Sequence, residues 1–470
     1  MVFSSTIFLF CFLPITLIGY YFLPGRSKNG FLLFMSILFY AYGEPKFVFV
    51  MLFCILGNYI AGRWIDNLKN KQLWKRRSAL LVTIVFNLSV LFYCKYYDFF
   101  ISNVNLLTGW ELPLKHIVLP IGISFFTFQA MSYVFDLYQG KVAMQKNIFD
   151  LALYVALFPQ LVAGPIVRYS DIAEQIQIRT HSFDMFADGV KRFAIGLAKK
   201  VIIANQVALA ADSIFGLATS DLTVLLAWLG ALTYMMQIYF DFSGYSDMAI
   251  GLGKMFGFKF LENFNYPYIS QSITEFWRRW HISLSSWFRD YIYIPLGGNR
   301  TGNVYVNLSV VFLVTGLWHG AAWTFVLWGI WHGIFILIER VGKQHNIQLK
   351  LPIVAKWFYT MLVVVIGWVL FRSNTLGQAL DYLRVMFGFS GQPIFNQYTI
   401  FMLKENAVLL VFASLFSTPV VKKVKDIFSK TNFTDNILTI LSPCVYLVVL
   451  IVSIAFTVTS TYNPFIYFNF

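Results

Sequence analysis

Apolar runs separated by short polar loops recur along the whole chain, at roughly 2–24, 31–43, 47–62, 78–97, 117–139, 148–167, 193–215, 222–240, 304–318, 321–338, 353–371, 403–418 and 437–459. The pattern predicts helices throughout and a membrane around them. Several runs fall short of the about 20 residues that a perpendicular membrane helix needs, so roughly ten to twelve true spans are expected. The neighbouring runs 304–318 and 321–338 are expected to be re-entrant or sharply tilted. Pro159 and the Gly164-Pro165 pair interrupt one helical run and predict a break there. No repeat or separable soluble domain is visible, so residues 1–470 are expected to form a single integral-membrane domain.

Composition sharpens this picture. The chain is 58% hydrophobic and only 12% charged, with a mean hydropathy of +0.65, which no ordinary soluble core accommodates. Aromatic residues at 19% suit interfacial belts and an aromatic-lined cavity. The net charge of +14 sits in short loops, where it orients the protein and meets lipid headgroups, so nucleic acid is set aside. Residues 63–77 carry six Lys or Arg against one Asp; Lys422, Lys423, Lys425 and Lys430 mark a second basic loop, and Arg340, Lys343 and Lys350 a third. These loops are expected to face the cytoplasm, which puts the N-terminus outside. The first apolar run reads as a retained span and not a signal peptide. Cys11, Cys54, Cys94 and Cys444 are scattered among apolar runs and read as small buried hydrophobes, with neither disulfide nor metal spacing.

Candidate chemistry gathers in residues 272–333, which hold three of the six histidines. Ser272 and Glu275 have capping-box spacing and predict a helix start. Carried on at 100° per residue, the helix places Trp277, Trp280, His281, Leu284, Trp287, Phe288 and Tyr291 on one face within about 120°. Arg278 and Arg289 lie along its flank, and Pro295 and Gly297-Gly298 end it. An interfacial helix has the same pattern. The functional reading is that Arg278 and Arg289, with Trp280 beside them, hold an anionic donor. His281 stands among the aromatics, where a Phe would be cheaper.

From Asn303 the next run reaches His319 after 16 residues, a helical rise of about 24 Å. Gly316 and Gly320 flank it, and Trp318 and Trp323 are expected to wall the site. A neutral imidazole in such a water-poor place suits general-base work. His332 follows 13 residues later, about 220° round a continuous helix, and reads as structural. No metal-ligand spacing links the histidines. His116, His181 and His345 have ordinary polar neighbours and are assigned no function. Asp241 and Asp247 stand next to an apolar run without a metal-binding neighbour; they read as acids that hold a helix break in place.

The blocks YFDFSGYSDMAIGLGKMFGFKFLENFNYPYIS, FWRRWHISLSSWFRDYIYIPLGGNR and GLWHGAAWTFVLWGIWHG, preceded by PIGISFFTFQAMSYVFDLYQGK and LFPQLVAGPIVRYSD, resemble the membrane-bound O-acyltransferase family over nearly the whole chain. Within its bacterial branch, IPLGGNR and the intact WHGAAWTFVLWG look more like the alginate O-acetylation type than the D-alanylation type. The resemblance implies an all-α polytopic membrane protein, a ring of tilted and re-entrant helices around a transmembrane tunnel that Asp241 is expected to face. It implies that the family's invariant histidine is His319 and its second histidine His281. It also implies an acyl thioester, such as acetyl-CoA or a carrier-protein thioester, as substrate with no bound cofactor and no metal. The acceptor it implies is a cell-surface polysaccharide, served by an extracytoplasmic partner with an SGNH-type Ser-His-Asp domain, at a bacterial cytoplasmic (inner) membrane.

The expected function is therefore transfer of an acyl group, acetyl first, from a cytoplasmic thioester to extracytoplasmic hydroxyls. D-alanyl transfer to teichoic acid is the rival within the enzyme class. A transporter or flippase, with the buried His and Asp as proton relay, and an export scaffold are the rivals outside it.

Overall fold

The computed structural model describes residues 1–346, 351–428, 432–460 and 462–466, and among them every regular element is a helix. Lys350 and Lys430 of the basic loops lie outside the described residues. Among the described residues eight helices are long and apolar enough to cross a membrane: Val48–Asn67, Leu73–Thr108, Phe183–Phe215, Val224–Met255, Trp323–Gln344, Ile353–Arg372, Gln397–Phe416 and Leu441–Thr459. Two further apolar helices, Phe8–Phe22 and Val304–His319, are shorter than a perpendicular span, so the count is roughly that expected. Leu56, Ile60, Val411 and Leu447 are among the many large apolar side chains exposed on these helices. In water such a surface would aggregate; in lipid it is the ordinary outside. The protein is an all-α, multi-pass membrane protein.

The predicted break near Asp241 is absent, because Val224–Met255 runs through both acids as one helix of 32 residues. The reason is pairing. Asp241 meets Lys200 at 2.7 Å, and Asp247 meets Arg192 at 2.6 Å. Each carboxylate is compensated where it stands, so the helix has no need to open around it. The break at Pro159 and Gly164 is present: Ile148–Ala156 ends, one short turn follows, and residues 162–168 are not helical.

The chain forms two compact units. One comprises Met1–Phe193 and Ser246–Leu261. Its core is aromatic, with Phe3, Phe8, Phe12, Phe39 and Phe158 in mutual ring contact. In its membrane helices the buried amides of Asn58 and Asn87 satisfy each other at 2.8 and 3.0 Å.

The other unit comprises Ala194–Tyr245 and Glu262–Phe470 and carries all the candidate chemistry. Five of its helices concern us: α1 (Ile273–Arg279), α2 (Ile282–Phe288), α3 (Val304–His319), α4 (Trp323–Gln344) and α5 (Ile353–Arg372). Helices α3 and α4 form a hairpin whose crossing is set by glycines. A Cβ on Gly316 would lie 2.4 Å from the carbonyl oxygen of Phe325, and one on Gly329 2.4 Å from that of Phe312. The two backbones therefore touch, as small residues permit in membranes.

Candidate active site

The site is assembled on α1. Ser272 Oγ accepts the N–H of Glu275 at 3.0 Å, the cap its sequence predicts. The Glu275 carboxylate, expected to close the box on Ser272, takes the N–H of Gln271 instead at 2.9 Å. The remaining free amides go to Glu339 near the end of α4, which accepts from Ile273 N at 2.6 Å and Thr274 N at 2.9 Å. A carboxylate on a helix N-terminus is well placed electrostatically, and it ties α1 to α4.

The helix then stops, against expectation. His281 has φ 44° and ψ 54°, the left-handed region, and separates α1 from α2. Such a conformation is uncommon outside glycine and requires support. Asn263 supplies it. Its carbonyl accepts Ile282 N at 2.9 Å, and its Oδ1 accepts from Ser283 N at 3.2 Å, Ser283 Oγ at 2.9 Å and His281 Nδ1 at 3.1 Å. The kink overturns the single aromatic face. Trp280 turns towards Phe264, Phe276 and Trp368, at ring distances of 5.1, 5.6 and 4.9 Å.

The same bonds fix the histidine's tautomer. Because Asn263 Oδ1 is an acceptor, His281 Nδ1 must carry the hydrogen, which leaves Nε2 with its lone pair. The ring is fully buried and edge-on to Phe242 at 4.6 Å. Burial pushes its pKa down to about 3, so it is neutral at physiological pH.

His319 is the last residue of α3, 4% exposed, and Asn303 caps the start of that helix through Tyr305 N at 3.0 Å. Its ring packs edge-on to Trp328 at 4.9 Å and to Phe371 at 5.2 Å. Trp318 joins the two histidines, with its ring 4.9 Å from that of His319 and 6.1 Å from that of His281. Trp323, expected to wall the site, is 51% exposed. Asp241 is engaged by Lys200 and by the N–H of Ile466 at 2.9 Å.

Arg278 and Arg289 do come together, at a cavity of about 260 Å³ that Trp277, Phe312, Asn299 and Arg340 also line. Arg289 pairs with Asp290 at 2.7 Å, and Arg340 donates to Asn299 at 3.1 Å. Among the described residues no carboxylate pairs with Arg278 or Arg340. The cavity is thus lined both by three arginines and by the aromatic rings of Trp277 and Phe312. Three of these functional residues escape the sequence reading. Asn263 lies 18 positions from its histidine in an unremarked loop, Arg340 counts there only as loop charge, and Glu339 is not singled out at all.

Arginines, two buried histidines and an aromatic enclosure suit acyl transfer, and the sequence comparisons decide the family. The model of the membrane-bound O-acyltransferase family matches residues 34–372. The chain belongs to the membrane-bound O-acyltransferase family. It is 47% identical over 404 residues to a probable alginate O-acetylase of Pseudomonas putida, covering 83% of this chain and 81% of that one. It is 34% identical to the peptidoglycan O-acetyltransferase of Helicobacter pylori, covering 100% of this chain and 98% of that one. A teichoic acid D-alanyltransferase of Bacillus subtilis is 30% identical, over 45% of this chain and 56% of its own. The protein is therefore a membrane O-acyltransferase, which sets transporter and scaffold aside.

Proposed function

We propose that this acyltransferase takes an acetyl group from a thioester at the cytoplasmic face of a bacterial cytoplasmic membrane and passes it towards hydroxyls of an extracytoplasmic polysaccharide, directly or through an SGNH-type partner. The observation that carries the reading is the pairing of two buried histidines, His281 and His319, through one indole, Trp318. In the step, a hydroxyl oxygen attacks the thioester carbonyl carbon while its proton passes to an imidazole. The C–S bond then breaks, and the thiolate leaves and takes up a proton. His319 acts as the base, and the Nε2 lone pair of His281 positions a reacting group. Thioesters are already activated, so no protein nucleophile is needed. Arg278 and Arg289 hold the anionic part of the donor, and the chain itself binds neither cofactor nor metal.

The relatives named as O-acetylases cover most of the chain, whereas the D-alanyltransferase covers under half, so acetyl is preferred over D-alanyl. The test is His319→Ala in the native host, with surface esters identified by mass spectrometry. Loss of acetyl esters from a stably folded variant is expected. Undiminished acetylation overturns the assignment of His319, and alanine esters lost in place of acetyl overturn the choice of acyl group.

A further inference from the structure

Behind the cavity wall lies a group of polar atoms that the reading above leaves unused. His332 of α4 is fully buried, as is Trp328, and Trp277 is 8% exposed. The three rings form a triangle: His332 is 5.2 Å from Trp277 and 5.1 Å from Trp328, and the two indoles are 5.5 Å apart. Phe276 closes one side, parallel to His332 within 8° at 6.3 Å. Four polar nitrogens of this triangle, Nδ1 and Nε2 of His332 and the indole nitrogens of Trp277 and Trp328, are buried and have no hydrogen-bond partner among the described residues.

That arrangement is costly. A buried polar group left without a partner is destabilising, and four together are hard to reconcile with a packing role that Phe would fill without polar atoms. The backbone also gives way to the ring, since a Cβ on Gly367 of α5 would lie 2.7 Å from His332 Nε2. Two further contacts connect the triangle to the chemistry. Trp277 lines the cavity that Arg278, Arg289 and Arg340 share, and Trp328 packs edge-on to His319 as well as to His332.

We infer that His332, with the indole N–H groups of Trp277 and Trp328, receives the carbonyl oxygen of the acyl group and is a further residue of the acyl-transfer site. This rests on the proposed function, because it takes the ligand to be the acyl thioester. The chemistry of the triangle fits that ligand. Two indoles and a neutral imidazole offer three N–H donors and one lone pair, a donor-rich and uncharged lining matched to a carbonyl oxygen. Donors fixed where negative charge develops on that oxygen are worth more in the transition state than in the ground state. The cavity would bring the donor's thioester end to Trp277, and Trp328 would set the carbonyl beside His319.

The experiment compares His332→Phe, His332→Gln and Trp277→Phe in the full-length protein, scoring thermal midpoint in detergent and surface acetyl esters per cell at equal protein level. A structural histidine and an acyl-binding one differ in how the two readouts move. For His332→Phe the expected result is an unchanged or raised midpoint with esters reduced about 10- to 100-fold, because a penalty is relieved while a transition-state contact is lost. His332→Gln, which restores a donor and an acceptor, is expected to recover part of the transfer. His332→Phe with wild-type ester levels overturns the inference. If His332→Phe fails to fold, Trp277→Phe decides: it keeps an aromatic ring at the position but removes the N–H, and full transfer by it overturns the inference equally. His319→Ala in the same series separates the two claims. Esters lost there but retained in His332→Phe refute only the triangle, and esters retained in both refute the catalytic reading on which it rests.

Discussion

The side-chain oxygen of Asn263 lies 3.1 Å from Nδ1 of His281 and dictates which nitrogen of that ring is free. The same residue holds the chain in its left-handed turn through Ile282 N and Ser283 N. Asn263→Ala is therefore expected to release both tautomer and backbone. By analogy with residues that orient metal-bound histidines, transfer should fall about 10- to 100-fold. Asn263→Asp, which keeps the acceptor, should lose less. Initial rates of ester formation at matched expression check this. Equal activity in Asn263→Ala and wild type would show that the histidine needs no orientation.

The burial that keeps His281 neutral also makes the fold sensitive to acid. Its folded pKa is pushed down to about 3 by burial, against an ordinary value of about 6.5 in the unfolded chain. Between those values the unfolded chain binds a proton that the folded chain excludes, so stability rises with pH. The contribution is complete above about 6.5 and is lost as pH falls towards 3. The thermal midpoint of the purified protein should drop from pH 7 to pH 5, with a slope from this residue of at most about 1.4 kcal/mol per pH unit. His281→Asn should flatten that dependence. An identical slope in the variant would place the acid sensitivity elsewhere.

How much of this was legible in the chain follows from the range of the interactions. Helices announced by long apolar runs were readable because lipid forces every backbone polar group to be satisfied locally. The cap at Ser272, the helix from Asn303 to His319 and the break at Pro159 were readable for a similar reason, since each depends on residues within a few positions. The kink at His281 was not. It is imposed by a residue 18 positions away, and periodicity alone continues a helix through it. The pairs Lys200–Asp241 and Arg192–Asp247 likewise join residues 41 and 55 apart, which hid the uninterrupted helix of 224–255. The arginine pair was foreseen on a stripe of one helix. It survives the kink because both side chains still reach one cavity, to which α4 adds Arg340.

That third arginine gives a kinetic expectation. Arg278 and Arg340 lack a carboxylate partner among the described residues, so each is open to an anionic donor. A hydrogen bond to a charged group contributes about 1.5–3 kcal/mol, or roughly 10- to 100-fold in affinity. Arg278→Ala and Arg340→Ala should raise the donor KM by about that factor with kcat largely kept, because the contact is made equally in ground and transition states. Arg278→Lys should recover part of the loss. A fall in kcat at unchanged KM would instead assign the arginines to the reacting centre.

The glycine contact between α3 and α4 determines where His319 sits. With Gly316 and Gly329 each leaving room for a carbonyl oxygen at 2.4 Å from a would-be Cβ, alanine at either position pushes the hairpin apart. His319 lies one turn beyond Gly316, so the displacement reaches it directly. Gly316→Ala and Gly329→Ala are expected to lower the thermal midpoint and to lose transfer together, since the same movement causes both. Loss of transfer at an unchanged midpoint would mean that the helices accommodate the methyl group by sliding.

Lys200 and Asp241 are 3% and 2% exposed and 2.7 Å apart, an ion pair almost sealed from solvent. Breaking such a pair leaves one charge uncompensated, at a cost of about 3–5 kcal/mol, whereas replacing both partners with apolar residues is often close to neutral. Lys200→Met and Asp241→Leu should therefore each reduce the amount of folded protein in membranes, and the double variant should recover much of it. Asp241 also accepts the N–H of Ile466, and Lys200 donates to the carbonyl of Pro464, so the pair anchors residues 464–466. The double variant is accordingly expected to fold yet to expose that segment to an endoprotease such as chymotrypsin faster than wild type. Unchanged digestion in the double variant would mean that other contacts hold the segment. Double-variant folding no better than the worse single variant would mean that the charges are needed for more than each other.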